Sequence, residues 1–432
     1  MDNLLPVAFG LAILAPLLAS LAVGLRILVA ETWITERQVT RVIRLALLGS
    51  FVGSVVVAAL HLGYLGTAVS GEVDFGSWVA IGSYEVPAVL YVDHVAVAFS
   101  LLGAAMTGLV ARFSVTYLHK EAGFTRFYLL LGLFASGTQL VAFAGALDLF
   151  FAGWEAIGIS SALFIGFFHE RPEPIRSGLR AFITYRVCDL GFLVAIVTTH
   201  EHLGSTRLLD LAGISRLPGT EVTVIALLLL VAALGKSAQL PFSGWLVRAM
   251  EGPTPSSALF YGGVSIHCGL FLLLRTAPVL EASPVAAATG VAIGLLTAIY
   301  AAAATRTHAD AKGALAHATL AQTGLILAEI CLGLTTLALV HLVSHAMLRA
   351  WQYLRAPNAI HDAHHYGHHW THGDGGTEQS RMTRAWYLLP LHRFRLEDRL
   401  DAVADAVLRL ARGVHRMDQR LLALFGAGEA RP

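Results

Sequence analysis

The segment that decides the fold is residues 221–244, EVTVIALLLLVAALGKSAQLPFSG. From Val222 to Gly235 it has no charged residue, which is typical of a membrane-spanning helix. Lys236 then follows inside the same apolar stretch, and Pro241 removes a backbone donor shortly afterwards. Such a proline favours a break in a helix at membrane depth, where the freed backbone groups still need partners. Broken helices of this kind usually line an ion or substrate cavity.

Similar apolar stretches occur along most of the chain, which has 432 residues, 56% of them hydrophobic and 14% charged. Soluble domains are roughly 25% charged, so the composition indicates a polytopic membrane protein. The prediction is an all-α fold of about eleven transmembrane helices, with the broken helix in span 7. The predicted spans are 4–25, 43–69, 93–114, 126–145, 148–168, 178–199, 221–244, 255–274, 284–304, 313–332 and 334–354.

Basic residues concentrate in every second loop between these spans. The loop after span 1 contains Arg26, Arg37 and Arg41, whereas the loop 70–92 has no lysine or arginine. Because cytoplasmic loops are enriched in basic residues, the N-terminus is predicted to lie outside and the C-terminus in the cytoplasm. We expect a multi-pass protein of a bacterial inner membrane without a cleaved signal peptide.

The composition changes after residue 355. The predicted organisation is a transmembrane domain, 1–355, and a cytoplasmic segment, 356–432. That segment contains a His-rich tract, 361–372, and an Arg-rich amphipathic pattern over 393–425 that predicts a helix on the membrane surface or on a partner. We interpret the tract as a solvated tail, with metal binding as the alternative.

Other classes of function find no support in the sequence. The net charge of +1 gives no electrostatic footprint for nucleic acid, and the three cysteines have no metal-site spacing. No catalytic residue, metal site or cofactor is predicted.

Ionisable residues inside the spans are the candidates for function. Each costs about 2.5–3.5 kcal/mol at mid-membrane, so its presence needs a reason. They are Glu155 in span 5, Arg186 and Asp189 in span 6, Lys236 in span 7, His317 in span 10, and His341, His345 and Arg349 in span 11. A buried lysine near a glutamate is suited to proton relay, whereas arginine keeps its proton and acts as a fixed charge. Arg186 and Asp189 share a helix face, either as a structural bridge or as a coupling element.

Several motifs around these residues resemble one family. They occur in the same order as in the antiporter-like (NuoL-type) subunits of respiratory complex I and the MrpA-type subunits of Mrp antiporters. The motifs are Trp154-Glu155 with the run Gly158–Phe167, Arg186-Val-Cys-Asp189, Gly235-Lys236-Ser-Ala-Gln-Leu-Pro241, Met250–Ala258, Asp310–Gly324 and His341–Arg349. The resemblance extends from about residue 90 to residue 356.

The resemblance implies roles for individual residues. Glu155 and Lys236 would form the acid and base of one proton half-channel, modulated by Asp189 with Arg186. Lys312 or His317, together with His341 and His345, would continue the polar axis. Two positions depart from the family pattern: Tyr261 replaces a histidine, and Arg349 replaces a titratable lysine.

The end of the chain after span 11 and the His-rich tract look most like the short DabB-type subunits. These pair with a DabA-like zinc subunit, similar to carbonic anhydrases, to accumulate inorganic carbon. The resemblance implies an ion-conducting subunit, for H+ or Na+, that is not itself an enzyme and drives CO2 hydration in its partner. The alternatives are a proton-translocating subunit of a respiratory complex or an Mrp-type antiporter, and a scaffold whose ion path is defunct.

Overall fold

The computed structural model describes residues 4–30, 34–82, 84–308 and 310–356, with isolated positions between 390 and 418. The His-rich tract and the predicted amphipathic helix over 393–425 lie outside the described residues, apart from those isolated positions.

The described part of the chain is built of long helices with one β-hairpin. The long helices are α1 Leu4–Val29, α2 Glu36–His61, α3 His94–Tyr117, α4 Phe124–Phe143, α5 Leu147–Ile165, α6 Pro172–Leu203, α7 Gly219–Lys236, α8 Thr254–Arg275, α9 Pro284–Thr305, α10 Ala311–Cys331 and α11 Thr335–Arg355. Shorter helical segments are Asp210–Arg216, Gly244–Arg248, Ala249–Glu251 and Ala277–Glu281. The predicted all-α polytopic fold is confirmed.

The count of eleven spans is not confirmed. Among the described residues, α1 to α10 are long and apolar enough to cross a membrane. Helix α11 has 21 residues, as many as α10, but the polar stripe of His341, His345 and Arg349 reduces its apolar character. It nevertheless packs against both α10 and α8.

Helix α2 begins earlier than predicted, at Glu36 rather than residue 43, and ends at His61 rather than residue 69. A capping box explains the early start. The Gln38 backbone N–H donates to the Thr35 hydroxyl at 3.4 Å, and the Thr35 N–H donates to Gln38 Oε1 at 3.1 Å. Arg37 and Arg41, which the sequence placed in a loop, therefore lie on the helix.

The segment after α2 forms an antiparallel hairpin, β1 Gly71–Ile81 and β2 Tyr84–Val92, where the sequence predicted only a loop. Arg207 binds Glu72 at 3.1 Å and Asp74 at 2.6 Å, which fixes the hairpin to the loop after α6. The Gly76 N–H and the Arg207 guanidinium lower the pKa of Asp74. A basic residue in the loop after α6 thus neutralises two acidic residues of the hairpin.

The predicted break lies directly after Lys236, where α7 ends. The chain then turns through residues 237–243, and α8 starts at Thr254 after Gly252-Pro253. Helix α8 has a π-helical turn at Ala258–Gly263. The apolar part of the helix that is long enough to cross a membrane is entirely buried among the other helices.

Side chains satisfy the backbone groups that the break frees. The Trp245 indole donates to the Gly235 carbonyl at 3.0 Å, and Gln239 donates to the Ser237 carbonyl at 2.8 Å. The Leu240 N–H donates to the Thr297 hydroxyl at 3.1 Å. Irregular backbone is tolerated at membrane depth when such partners are present.

Candidate functional site

Five residues from three helices meet beside the break, and we call them the acid–base cluster. Trp154 and Glu155 come from α5, Arg186 and Asp189 from α6, and Lys236 is the last residue of α7. With all four charged groups ionised, two carboxylates face two cations. The set is therefore neutral as a whole, which limits the cost of burying it.

Arg186 is the bridge of the cluster. One guanidinium nitrogen, Nη1, forms an ion pair with Glu155 Oε2, and the other, Nη2, binds Asp189 Oδ2 at 2.8 Å. The second Asp189 oxygen accepts from the Trp154 indole at 2.5 Å. Asp189 is only 3% exposed, so these two partners replace the water it lacks.

Lys236 is buried but makes no ion pair with a carboxylate among the described residues. Its ammonium donates to the Trp154 carbonyl at 2.9 Å and lies 4.7 Å and 4.9 Å from the ring centres of Trp154 and Tyr185. Glu155 and Lys236, predicted to act as the acid and base of one half-channel, therefore form no direct ion pair in the structure. The reason is that Arg186 already occupies the Glu155 carboxylate.

The space for the lysine depends on Gly158, one helical turn after Trp154. A Cβ atom at this position would lie 2.9 Å from Lys236 Nζ and 3.6 Å from Arg186 Nη2. A Cβ atom at this position would displace the lysine ammonium, so glycine leaves the room that Lys236 occupies.

A second polar group, which we call the imidazole chain, runs from α11 into α8. The Arg349 Nε–H donates to His345 Nε2 at 3.2 Å. His345 Nδ1 lies 3.0 Å from His267 Nε2, and His267 Nδ1 lies 2.6 Å from the Gly263 carbonyl.

Donor and acceptor roles fix the tautomers of this chain. The Gly263 carbonyl can only accept, so His267 carries its proton on Nδ1 and accepts at Nε2. His345 therefore donates from Nδ1, and its Nε2 accepts from Arg349. Both rings are neutral in this arrangement, and the chain of donors points in one direction, from Arg349 to Gly263.

His341 continues the polar stripe of α11 but binds different partners. Its Nδ1 lies 2.9 Å from Glu329 Oε1, and its Nε2 lies 3.1 Å from Gln322 Oε1. Both ring nitrogens thus lie within hydrogen-bonding distance of side-chain oxygens. The ring centres of His341 and His345 are 6.2 Å apart.

His317 and Lys312 lie near the start of α10. His317 is buried, its Nδ1 lies 3.0 Å from the Gly313 carbonyl, and its ring centre is 4.4 Å from that of His308. Lys312 is partly buried, and the negative charges of Asp310 and Glu251 are close enough to attract its ammonium group.

Sequence reasoning missed His267 and Glu329. Glu329 is an acidic residue inside an apolar span, so the rule that selected Glu155 would have found it. His267 stands alone in its helix, and the sequence gives no periodic partner for it. Its role in the imidazole chain follows only from the packing of α8 against α11.

The polar centres are joined by α8. This helix contacts α7, which ends at Lys236, and α11, which contains the histidine stripe. No group of three or more His, Cys, Asp or Glu side chains with the geometry of a metal site occurs in the described ranges. Cys188, Cys268 and Cys331 are buried free thiols.

A family model described as "NADH:quinone oxidoreductase/Mrp antiporter, TM" matches residues 144–371, which is more than half of the chain. The chain belongs to this family. A second model, for the N-terminus of chain 5 of NADH-ubiquinone oxidoreductase (complex I), matches residues 78–128. The membership predicted from the motifs is therefore confirmed.

Named relatives in the NADH:quinone oxidoreductase/Mrp antiporter family include NADH-quinone oxidoreductase subunit L of Neisseria meningitidis serogroup A, 32% identical over 334 residues. The alignment covers 74% of this chain and 50% of the relative. NAD(P)H-quinone oxidoreductase chain 5 of Picosynechococcus is 31% identical, over 80% of this chain and 53% of the relative. The chain thus spans about half the length of the curated relatives it matches.

Among solved structures, a chain of the Mrp complex from Dietzia sp. DQ12-45-1b aligns with a TM-score of 0.67 and 26% identity. The alignment covers 82% of this chain and 36% of that one. A chain of an archaeal membrane-bound sulfane sulfur reductase shares the fold, with a TM-score of 0.64, 17% identity and coverage of 80% and 70%.

Proposed function

We propose that this chain is an ion-translocating membrane subunit of a multi-subunit complex of the respiratory or Mrp type, located in a bacterial inner membrane. The proposal rests above all on the partly buried acid–base cluster at the end of the broken helix α7. Charged side chains at this depth are expensive, and this cluster surrounds a lysine that makes no ion pair with any described carboxylate. A proton lost by Lys236 leaves that nitrogen in a site that still offers an acceptor and two aromatic faces.

The proposed path uses the two polar groups in series. Lys236 would take up and release a proton. Arg186 would influence this exchange because it pairs with the nearby carboxylates of Glu155 and Asp189. The imidazole chain and His341 with Glu329 would continue the path toward α10 and α11. Lys312 and His317 are proposed to serve its end near the start of α10, and Arg349 would act as the fixed charge.

The transported ion is proposed to be H+ or Na+, because a carboxylate can carry a proton or coordinate Na+. The finer predictions of a DabB-type subunit, a DabA-like zinc partner and inorganic carbon transport rest on the resemblance alone. The relatives reported above are named for respiratory and Mrp complexes, and they support the translocating subunit of such a complex better.

The test uses the chain expressed with the genes that flank it, reconstituted into vesicles that enclose a pH-sensitive or a sodium-sensitive dye. We expect Lys236→Met to reduce ion flux to less than about a tenth of the wild-type value. Lys120→Met is the matched control, because Lys120 is exposed and lies outside the cluster.

Equal flux from wild type and Lys236→Met, at equal insertion, would overturn the proposal and favour the scaffold function. The dye that responds identifies the ion. Uptake of labelled inorganic carbon that requires a co-expressed zinc subunit would restore carbon transport as the function.

A further inference from the structure

A cleft of about 690 Å³ lies between α2 and α3, away from the acid–base cluster. One part is lined by four arginines, Arg37, Arg41, Arg44 and Arg112, and the rest mainly by apolar side chains. All four arginines are exposed.

The charged and apolar parts form one continuous stripe along α2. Arg37, Arg41, Arg44, Leu48 and Phe51 follow one another at steps of three or four residues, so they share a face of the helix. Leu48 and Phe51 are 56% and 38% exposed, as expected of side chains that face lipid.

The opposite wall, on α3, contains the small residues Ala104, Ala105, Gly108 and Ala111 besides Leu109 and Arg112. A Cβ atom added at Gly108 would have no heavy atom within 4 Å. The cleft therefore exists because α3 has little side-chain volume where α2 has leucine and phenylalanine.

Within the part of the chain that the structure describes, no carboxylate neutralises the positive charge of the cleft. None of the four arginines forms an ion pair with a carboxylate among the described residues. The adjacent acidic residue, Glu36, is occupied elsewhere: it accepts from His119 and from the Lys120 backbone N–H, both at 2.8 Å.

We propose that this cleft binds an anionic glycerophospholipid. Its phosphodiester lies between the arginines, whose planar guanidinium groups match phosphate oxygens, and an acyl chain lies along Leu48 and Phe51. Basic pockets between transmembrane helices are suited to acidic lipid headgroups. A free anion would leave the apolar part of the cleft uncovered, so the occupant is a lipid.

The test is native mass spectrometry of the full chain in mild detergent, titrated with phosphatidylglycerol or phosphatidylcholine. We expect Arg41→Gln with Arg44→Gln to weaken phosphatidylglycerol binding at least about tenfold and to leave phosphatidylcholine binding unchanged. The control is Arg26→Gln with Arg176→Gln, which removes the same charge from exposed arginines outside the cleft and should bind like wild type.

Gly108→Leu provides a second test that keeps every charge. The added side chain fills the cleft, so we expect a loss of tightly bound phosphatidylglycerol without loss of folded protein. Wild-type binding by both cleft variants, or an equal loss in the control pair, would overturn the proposal. Displacement of the lipid by equimolar inorganic phosphate would also overturn it, because it would show an anion site without acyl recognition.

Discussion

The Lys236 ammonium donates a hydrogen bond of 2.9 Å to the Trp154 carbonyl, and the indole of the same tryptophan donates to Asp189 at 2.5 Å. Trp154 therefore contacts the lysine through its main chain and the carboxylate through its side chain. A change in the charge of Lys236 would therefore act on the Trp154 backbone, and the indole of this residue is the hydrogen-bond donor to Asp189. This connection joins the end of the broken helix to the Arg186 bridge.

Gly158→Ala tests whether the position of the lysine matters. The new methyl group would lie 2.9 Å from Nζ, closer than a carbon atom tolerates, so the ammonium has to shift from its position beside the Trp154 carbonyl. We expect ion flux in reconstituted vesicles to fall at least about tenfold. Gly24→Ala is the control, because a Cβ atom there meets nothing within 4 Å. Unchanged flux from Gly158→Ala would mean that the position of Lys236 is unimportant.

Arg186→Gln should mainly affect stability. It leaves Glu155 and Asp189 without their shared cation, and we expect a cost of about 2 kcal/mol, since Arg186 is 35% exposed and partly solvated. The measurement is thermal unfolding of the purified chain in detergent. Adding Asp189→Asn removes one uncompensated charge and should recover part of the loss. A double variant less stable than Arg186→Gln would contradict the bridge.

Much of the site was visible in the sequence because burial of charge is costly and therefore rare. Lys236 before Pro241 identified the break, and Arg186 three residues before Asp189 identified two side chains on one helix face. Both features are local, so spacing along one helix was enough. The hairpin at residues 71–92 was missed because its alternation is irregular and its acidic residues depend on Arg207, which is distant in sequence.

The contacts between helices were not predictable in the same way. The Glu155 carboxylate pairs with Arg186 and not with Lys236, because three helices meet and the arginine reaches the carboxylate. His267 gave no signal, since its partner His345 is 78 residues away. A single sequence specifies which side chains are buried, but the packing of α8 determines which of them meet.

His267 should be required for ion movement but less so for folding. His267→Leu removes the acceptor of the His345 proton. The imidazole chain then ends at His345 and no longer reaches the Gly263 carbonyl. We expect flux to fall at least about tenfold with insertion unchanged, and His94→Leu, an exposed histidine at the start of α3, to behave like wild type. Nitrogen chemical shifts of labelled histidine should show both His267 and His345 protonated at Nδ1 near pH 7. A proton on Nε2 of either ring would contradict the assigned direction of the chain.

Asp310 gives a prediction about pH at the start of α10. Its carboxylate accepts from the Gly313 N–H at 2.6 Å as the helix N-cap, and His308, together with this bond, lowers the pKa of Asp310 to about 2. Because the pKa is lowered on folding, the stabilisation is present above the ordinary value of 3.8 and is lost as the pH falls toward 2.

We expect Asp310→Ala to reduce the free energy of unfolding by about 1 kcal/mol at pH 6. In urea unfolding followed in detergent, the difference from wild type should shrink between pH 4 and pH 2. Asp310→Asn keeps an N-cap acceptor but lacks the charge, so its stability at pH 6 should lie between those of Asp310→Ala and wild type. A difference between wild type and Asp310→Ala that grows toward low pH would contradict the assignment.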